Sequence, residues 1–195
     1  NTHVPEKTEA TIKKVWDDEN NQDGKRPADL KVTLSDGTEV TLNEANNWTA
    51  TVTELPKYAD GVEIEYTWTE GSMPAGYELT GTSKEGTVTT LTNSYTPEKT
   101  EATIKKVWDD AENQDGKRPT ELKATLSNGT EVTLNEANGW TATVDNLPKY
   151  ADGEEIVYTV EEITVPGYET GNGNAENGFT ITNTHKPETT EATIK

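Results

Sequence analysis

EATIKKVWDD, residues 9–18, decides the fold class. Its apolar and polar residues alternate, the period-2 pattern of a half-buried β-strand. Side chains at i, i+2 and i+4 share one strand face, so Ala10, Ile12, Lys14 and Trp16 point the same way. Ala10, Ile12 and Trp16 make that the core face, and Lys14 is drawn inward with them. The stretch returns unchanged at 101–110. NQDGKRP at 21–27 returns at 113–119, EVTLNEAN at 39–46 at 131–138, and LPKYADG at 55–61 at 147–153. The offset is 92 from Lys14 to Lys106 but 90 from Asn93 to Asn183, so a two-residue deletion lies between Glu162 and Asn183. Such self-similarity marks a tandem array. We read one module at 4–95 and a second at 96–185. Residues 1–3 and 186–195 are read as remnants of neighbouring repeats, because Asn1-Thr2-His3 matches Asn183-Thr184-His185 and EATIK recurs at 191–195. The joints TPEKTE (96–101) and KPETTE (186–191) are polar and Pro-containing, hence short and semi-stiff.

Each module reads as a run of short strands. In the first these are 10–16, 30–34, 39–42, 48–52, 63–70 and 87–93, with Ser35-Asp36-Gly37-Thr38 as a hairpin turn. Many short strands separated by turn signals indicate an all-β sandwich. No segment of useful length has helical periodicity.

Composition narrows the function. A net charge of −19 with pI near 4.4 argues against nucleic acid, which needs a basic face, and against an anionic membrane surface. The charge reads as a solvated, self-repelling surface. The chain has no cysteine, so neither disulfides nor thiolate metal sites are available. No apolar run is long enough to span a bilayer. With only 30% hydrophobic residues, modules this small bury thin cores, and a covalent staple other than a disulfide would help.

The strand faces supply a candidate. Ile64, Tyr66, Trp68 and Glu70 share a face, as do Thr89, Leu91 and Asn93. In the second module Lys106 sits with Ile104 and Trp108, Glu162 with Ile156, Tyr158 and Val160, and Asn183 with Phe179 and Ile181. Each module therefore aims one Lys, one Glu and one Asn inward from different strands. Burying such charges is costly unless they pair or neutralise, and desolvation favours the neutral forms of both amine and carboxyl. Two outcomes are open. One is a buried Lys–Glu ion pair with Asn bonded to backbone. The other is a Lys–Asn amide formed with loss of ammonia and promoted by the acid. The neighbouring Lys13 and Lys105 alternate to the solvent face.

At these residues the sequence resembles the Cna B-type domain family, the B repeats of Gram-positive collagen adhesins and pilins. KVWDD…NQDGKRP (14–27 and 106–119), LPKY (55–58 and 147–150), the YT-x-x-E stretch (66–70 and 158–162) and the closing TN (92–93 and 182–183) carry the resemblance. It implies a transthyretin-like, inverse-immunoglobulin sandwich. It also implies an intramolecular isopeptide bond, Lys14 to Asn93 and Lys106 to Asn183, promoted by Glu70 and Glu162.

Other signals are weaker. DDENNQDG has the composition of a Ca²⁺ loop, but with Gly24 in the sixth position the twelfth falls on Leu30, where Glu is needed. No metal or cofactor is expected. Trp48 and Trp140 are expected to pack in the core rather than stack on sugars. His3 and His185 fit no hydrolase pattern. The expected function is a structural stalk or spacer of an extracellular, cell-wall-anchored adhesin or pilus-like protein, its anchor outside this segment. The alternative is a module that itself recognises a host protein or glycan. A turnover enzyme is not expected, because the cross-linking reaction occurs once. The expected partners are neighbouring repeats and, through a separate domain, host extracellular matrix. A monomer is expected, with no nucleic acid and no membrane insertion.

Overall fold

The computed structural model describes residues 4–194; the remnant read at 1–3 lies outside them. The chain divides into two compact units that change over between Glu98 and Lys99, with the short stretch Tyr150–Glu154 grouped with the first although its strands belong to the repeat plan of the second, and each is all-β. The first contains β1 (Lys7–Asp17), β2 (Asp29–Leu34), β3 (Glu39–Asn43), β4 (Thr49–Pro56), β5 (Tyr58–Ala59), β6 (Val62–Glu63), β7 (Trp68–Glu70), β8 (Glu78–Glu85) and β9 (Val88–Ser94). The second repeats the plan. It has β10 (Lys99–Asp109), β11 (Glu121–Leu126), β12 (Glu131–Asn135), β13 (Thr141–Pro148), β14 (Tyr150–Ala151), β15 (Glu154–Glu155), β16 (Thr159–Glu162), β17 (Glu169–Thr170), β18 (Gly173–Asn174) and β19 (Thr180–Thr184). β1 and β10 begin earlier than the alternation suggested, and β10 starts inside the stretch read as a joint. EATIK, a strand in both modules, is not a strand at 191–194: among the described residues no neighbour ladders with it.

In the first module one sheet has the order β4-β1-β9-β8 and the other β3-β2-β7. β1 runs antiparallel to β4 and parallel to β9, with Lys14 opposite Leu91 and Trp16 opposite Asn93. The first and last strands are thus neighbours in one sheet. Ile12, Leu91, Val32, Leu34, Leu42 and Trp68 interleave between the sheets, each fully buried aliphatic side chain contributing about 1.5–3 kcal/mol.

The strand expected at 63–70 is interrupted. Only residues 62–63 and 68–70 ladder, while 64–67 cross between sheets, held by Ile64 N–H on Lys57 O and the Tyr66 hydroxyl on Pro56 O. The alternation of burial persists through the break, with Tyr66 and Trp68 buried and Glu65 and Thr67 exposed. β8 was not expected at all. Its residues are exposed on both faces, so ELTGTSKE carries no alternation to read.

The two-residue deletion reshapes the end of the second module. β8 and β9 form one long hairpin, with a bulge at Thr80. In the second module β17 pairs with β19, after which the chain changes sheet and β18 pairs with β16. Gly173 permits the crossing: a Cβ there would lie 2.6 Å from Val160 Cγ1 and 3.1 Å from Ile181 Cγ1.

A single 3-10 turn closes β3 at Glu44–Asn46, and its copies lie at Glu136–Asn138 and Ala175–Asn177. In each, an Asn caps the turn and a second Asn three residues on bonds back to it, a capping box built from two amides. The next two residues are left-handed, ending on Trp48, Trp140 or Phe179, and that aromatic folds onto the core edge. The third copy, GNAENGF, has no counterpart in the first module.

The DDENNQDG loop is anchored from within. The Arg26 guanidinium donates to both oxygens of buried Asp18 at 2.6 and 3.0 Å, and the Tyr77 hydroxyl donates to it at 2.7 Å. Arg118, Asp110 and Tyr168 repeat the arrangement. Glu19, Asn20 and Asn21 are consecutive left-handed residues, strained by about 1–2 kcal/mol each. The Asp18 carboxylate holds this turn by accepting from Asn21 N–H.

Candidate functional site

β1, β7 and β9 bring Lys14, Glu70 and Asn93 together. Period-2 alternation turns all three inward, and the sandwich faces Glu70, opposite Val32 in the second sheet, toward the two residues of the first. Lys14 Nζ lies 3.0 Å from Glu70 Oε1, with side chains 0% and 5% exposed. It also donates to Leu91 O at 3.2 Å and sits 4.7 Å above the Trp16 ring. Asn93 is wholly buried and donates from Nδ2 to Glu70 Oε2 at 3.2 Å. One carboxylate thus bridges an amine and a carboxamide.

The second module repeats the constellation more tightly. Lys106 Nζ lies 2.7 Å from Glu162 Oε2, the side chains 0% and 1% exposed. Asn183 Nδ2 donates to Glu162 Oε1 at 2.5 Å. Lys106 Nζ is 4.5 Å above Trp108. The Thr170 hydroxyl adds a donor to Glu162 Oε1 at 3.0 Å, where the first module instead packs Met73 against Asn93. Asn93 Oδ1 and Asn183 Oδ1 are buried and find no donor among the described residues.

Burial pushes Lys14 and Lys106 below the ordinary lysine pKa, against the opposing pull of Glu70 and Glu162. That makes the neutral, nucleophilic amine easier to reach than in water. Lys13 and Lys105 point to solvent.

All six residues singled out from the sequence therefore meet, in two sets of three. Of the two outcomes left open, one had the Asn bonded to backbone; in both modules its Nδ2 instead faces the carboxylate. The sequence reading missed Thr170, Met73 and the tryptophan beneath each amine. The tryptophans were legible, since Trp16 and Trp108 sit two residues beyond each lysine on the same face.

Tyr95 donates to Asp23 Oδ2 at 2.9 Å, and Glu98 N–H shares that oxygen at 2.7 Å. The aspartate of the suspected Ca²⁺ loop is therefore committed to holding the chain as it leaves the module. His185 and Glu188 do the same at Asp115.

Comparison with known proteins agrees with this architecture. The Cna protein B-type domain matches residues 10–94 and again 102–184. The collagen adhesin of Staphylococcus aureus is 45% identical over 97% of this chain, which spans 16% of that protein's length. The crystal structure of two B repeat units of the collagen binding protein of Staphylococcus aureus superposes with a TM-score of 0.81. It is 41% identical and covers 93% of this chain and 50% of its own. This chain belongs to the Cna protein B-type domain family, of which it carries two tandem copies.

Proposed function

We propose that each module ties its own first strand to its last by an amide between Lys14 and Asn93, and between Lys106 and Asn183. We further propose that the tandem serves as a spacer in an extracellular, cell-wall-anchored adhesin. The observation that carries the reading is the buried carboxylate lying between amine and carboxamide in both modules. Folding has already brought the reactants together, which removes most of the entropic barrier. The glutamate takes a proton from the lysine ammonium. The Nζ lone pair attacks Asn Cγ, the glutamate passes its proton to Nδ2 and accepts the second proton from Nζ, and the Cγ–Nδ2 bond breaks to release ammonia, which carries that second proton away as ammonium. Amine plus carboxamide become secondary amide plus ammonia, and the glutamate ends unchanged. The Nδ2-facing carboxylate suits delivery of the proton to Nδ2.

A spacer role is supported by the strand geometry, in which the linked residues lie on the first and last strands of each module. The collagen adhesin relative, of whose length this chain spans 16%, supports placement of the tandem as a segment of an adhesin. Intact mass spectrometry tests the chemistry. The chain should be lighter than its sequence mass by two molecules of ammonia, about 34 Da. Glu70→Ala and Glu162→Ala should each fold and each restore about 17 Da. A parent mass equal to the sequence value refutes the cross-link, and a full deficit in either glutamate variant refutes the role given to the acid.

A further inference from the structure

The two modules hold their outgoing chain with the same aspartate but different partners. In the first, Asp23 Oδ2 accepts from the Tyr95 hydroxyl and Glu98 N–H. In the second, Asp115 Oδ2 accepts from Glu188 N–H at 2.9 Å and lies 3.0 Å from His185 Nε2. The other ring nitrogen, Nδ1, lies 2.8 Å from Gly167 O. A carbonyl and a carboxylate can only accept. Both ring nitrogens must therefore carry hydrogen for both contacts to be favourable, and only the imidazolium meets that condition. The ring is 9% exposed, tilted against Tyr168 at 5.2 Å, and its backbone N–H is fixed to Asp109 O. It has little room to turn away.

From this geometry we propose that the exit of the second module is a protonation-gated clamp: doubly protonated His185 ties residues 186–188 to the NQDG loop through Asp115, and loss of one proton releases them. The neutral ring has one N–H, so a lone pair must then face either Gly167 O or Asp115 across about 3 Å. The charged and titratable groups around the ring are Asp115, Lys117 and Glu188, with Tyr168 beneath it and Asp110 and Arg118 behind that tyrosine. Lys117 opposes the imidazolium, but its ammonium pairs with the Glu188 carboxylate at 3.0 Å. The hydrogen bonds to Asp115 and Gly167 raise the His185 pKa above its ordinary value. The tie is thus complete below the unfolded histidine value near 6.5 and is lost as pH rises through the higher folded value. Tyr95 gives the first module a fixed version, because burial and Asp23 push its hydroxyl up to about 12.

The test is an NMR titration of the whole chain from pH 5 to 9 in a His3→Gln background, so that a single ring reports. We expect the Glu188 amide proton to lie downfield at pH 5. It should lose that shift, and Lys186 and Glu188 should lose their heteronuclear NOE, on the same curve that titrates the His185 ring. His185→Tyr should hold the Glu188 amide downfield across the range. Asp115→Ala, which removes the acceptor, should abolish the shift at every pH and return the ring's titration toward its ordinary value. A Glu188 amide that ignores the ring's titration overturns the proposal, as does a His185→Tyr chain that follows the parent curve.

Discussion

Replacing Asn183 by alanine isolates the proposed bond, because it leaves the buried Lys106–Glu162 pair intact. Removing Lys106 instead would strand a buried carboxylate and add roughly 3–5 kcal/mol of unrelated loss. Two alternative terms remain. A covalent tie closing residues 106–183 restricts the unfolded chain by about 4.5 kcal/mol in the loop-entropy description used for disulfides. The Nδ2 hydrogen bond belongs only to a chain that has not cross-linked, because that nitrogen leaves as ammonia, and there it is worth about 1.5–3 kcal/mol. For a module of this size each kcal/mol moves Tm by roughly 4–8 °C, so loss of the tie should lower the second module's melting by roughly 18–36 °C. Calorimetry on the two-module chain is the assay, with Asn93→Ala shifting the other transition to assign the peaks. Intact mass should show the variant retaining the deficit of one ammonia only. Without an amide, the hydrogen bond alone would be lost, and on the same scale the shift would be at most about two-thirds as large. A shift that small, or an unchanged mass deficit, refutes the reasoning.

Three further outcomes can be checked. Single-molecule pulling on the parent chain should show no step from the release of residues 15–92 or 107–182, whereas the Lys14→Ala, Lys106→Ala double variant should show two steps of roughly 250 Å. Acid should weaken the second module in a defined window: the Arg118 guanidinium, with Tyr168 and Asn113 N–H, holds Asp110 at about 2 against its burial. Its contribution is therefore whole above the unfolded value of 3.8 and lost as pH falls through about 2; melts across pH 2–5 should show this loss in the parent and not in Asp110→Asn. Gly173→Ala should cost the second module about 1–3 kcal/mol by overpacking Val160 and Ile181, while Gly81→Ala, whose methyl would meet Thr92 at 3.4 Å, should leave the first module's melting unchanged.

The inward residues were legible because one buried face imposes a period of 2, and that period survives even where the ladder does not. Tyr66 and Trp68 keep their alternation across the unpaired 64–67, so Glu70 could be placed without knowing that its strand was broken. The site was readable for the same reason: Lys14, Glu70 and Asn93 are polar residues on faces otherwise apolar. β8 was not readable, since an edge strand with both faces in solvent has no hydrophobic pattern. Nor was the exchange of sheets at Gly173, which depends on a two-residue difference in chain length and on space beside Val160. The repeated Asn-x-x-Asn turn could have been found, because NEANNW, NEANGW and NAENGF share their spacing. Its left-handed aromatic is a tertiary choice that lets the ring reach the core edge.

The parallel pairing of β1 with β9 has a consequence for biosynthesis. β1 is made first but occupies an interior place in its sheet, between β4 and β9. It therefore waits with one edge bare until the last strand of the module has been made. Contacts spanning nearly a whole module close slowly, because the chain must lose its loop entropy before they form. Asn93 arrives on that final strand, so the proposed amide has no electrophile until every earlier strand has been made. An amide formed this way would work as a ratchet on folding, locking only those modules that have already reached the complete sandwich and leaving misregistered ones free to reopen.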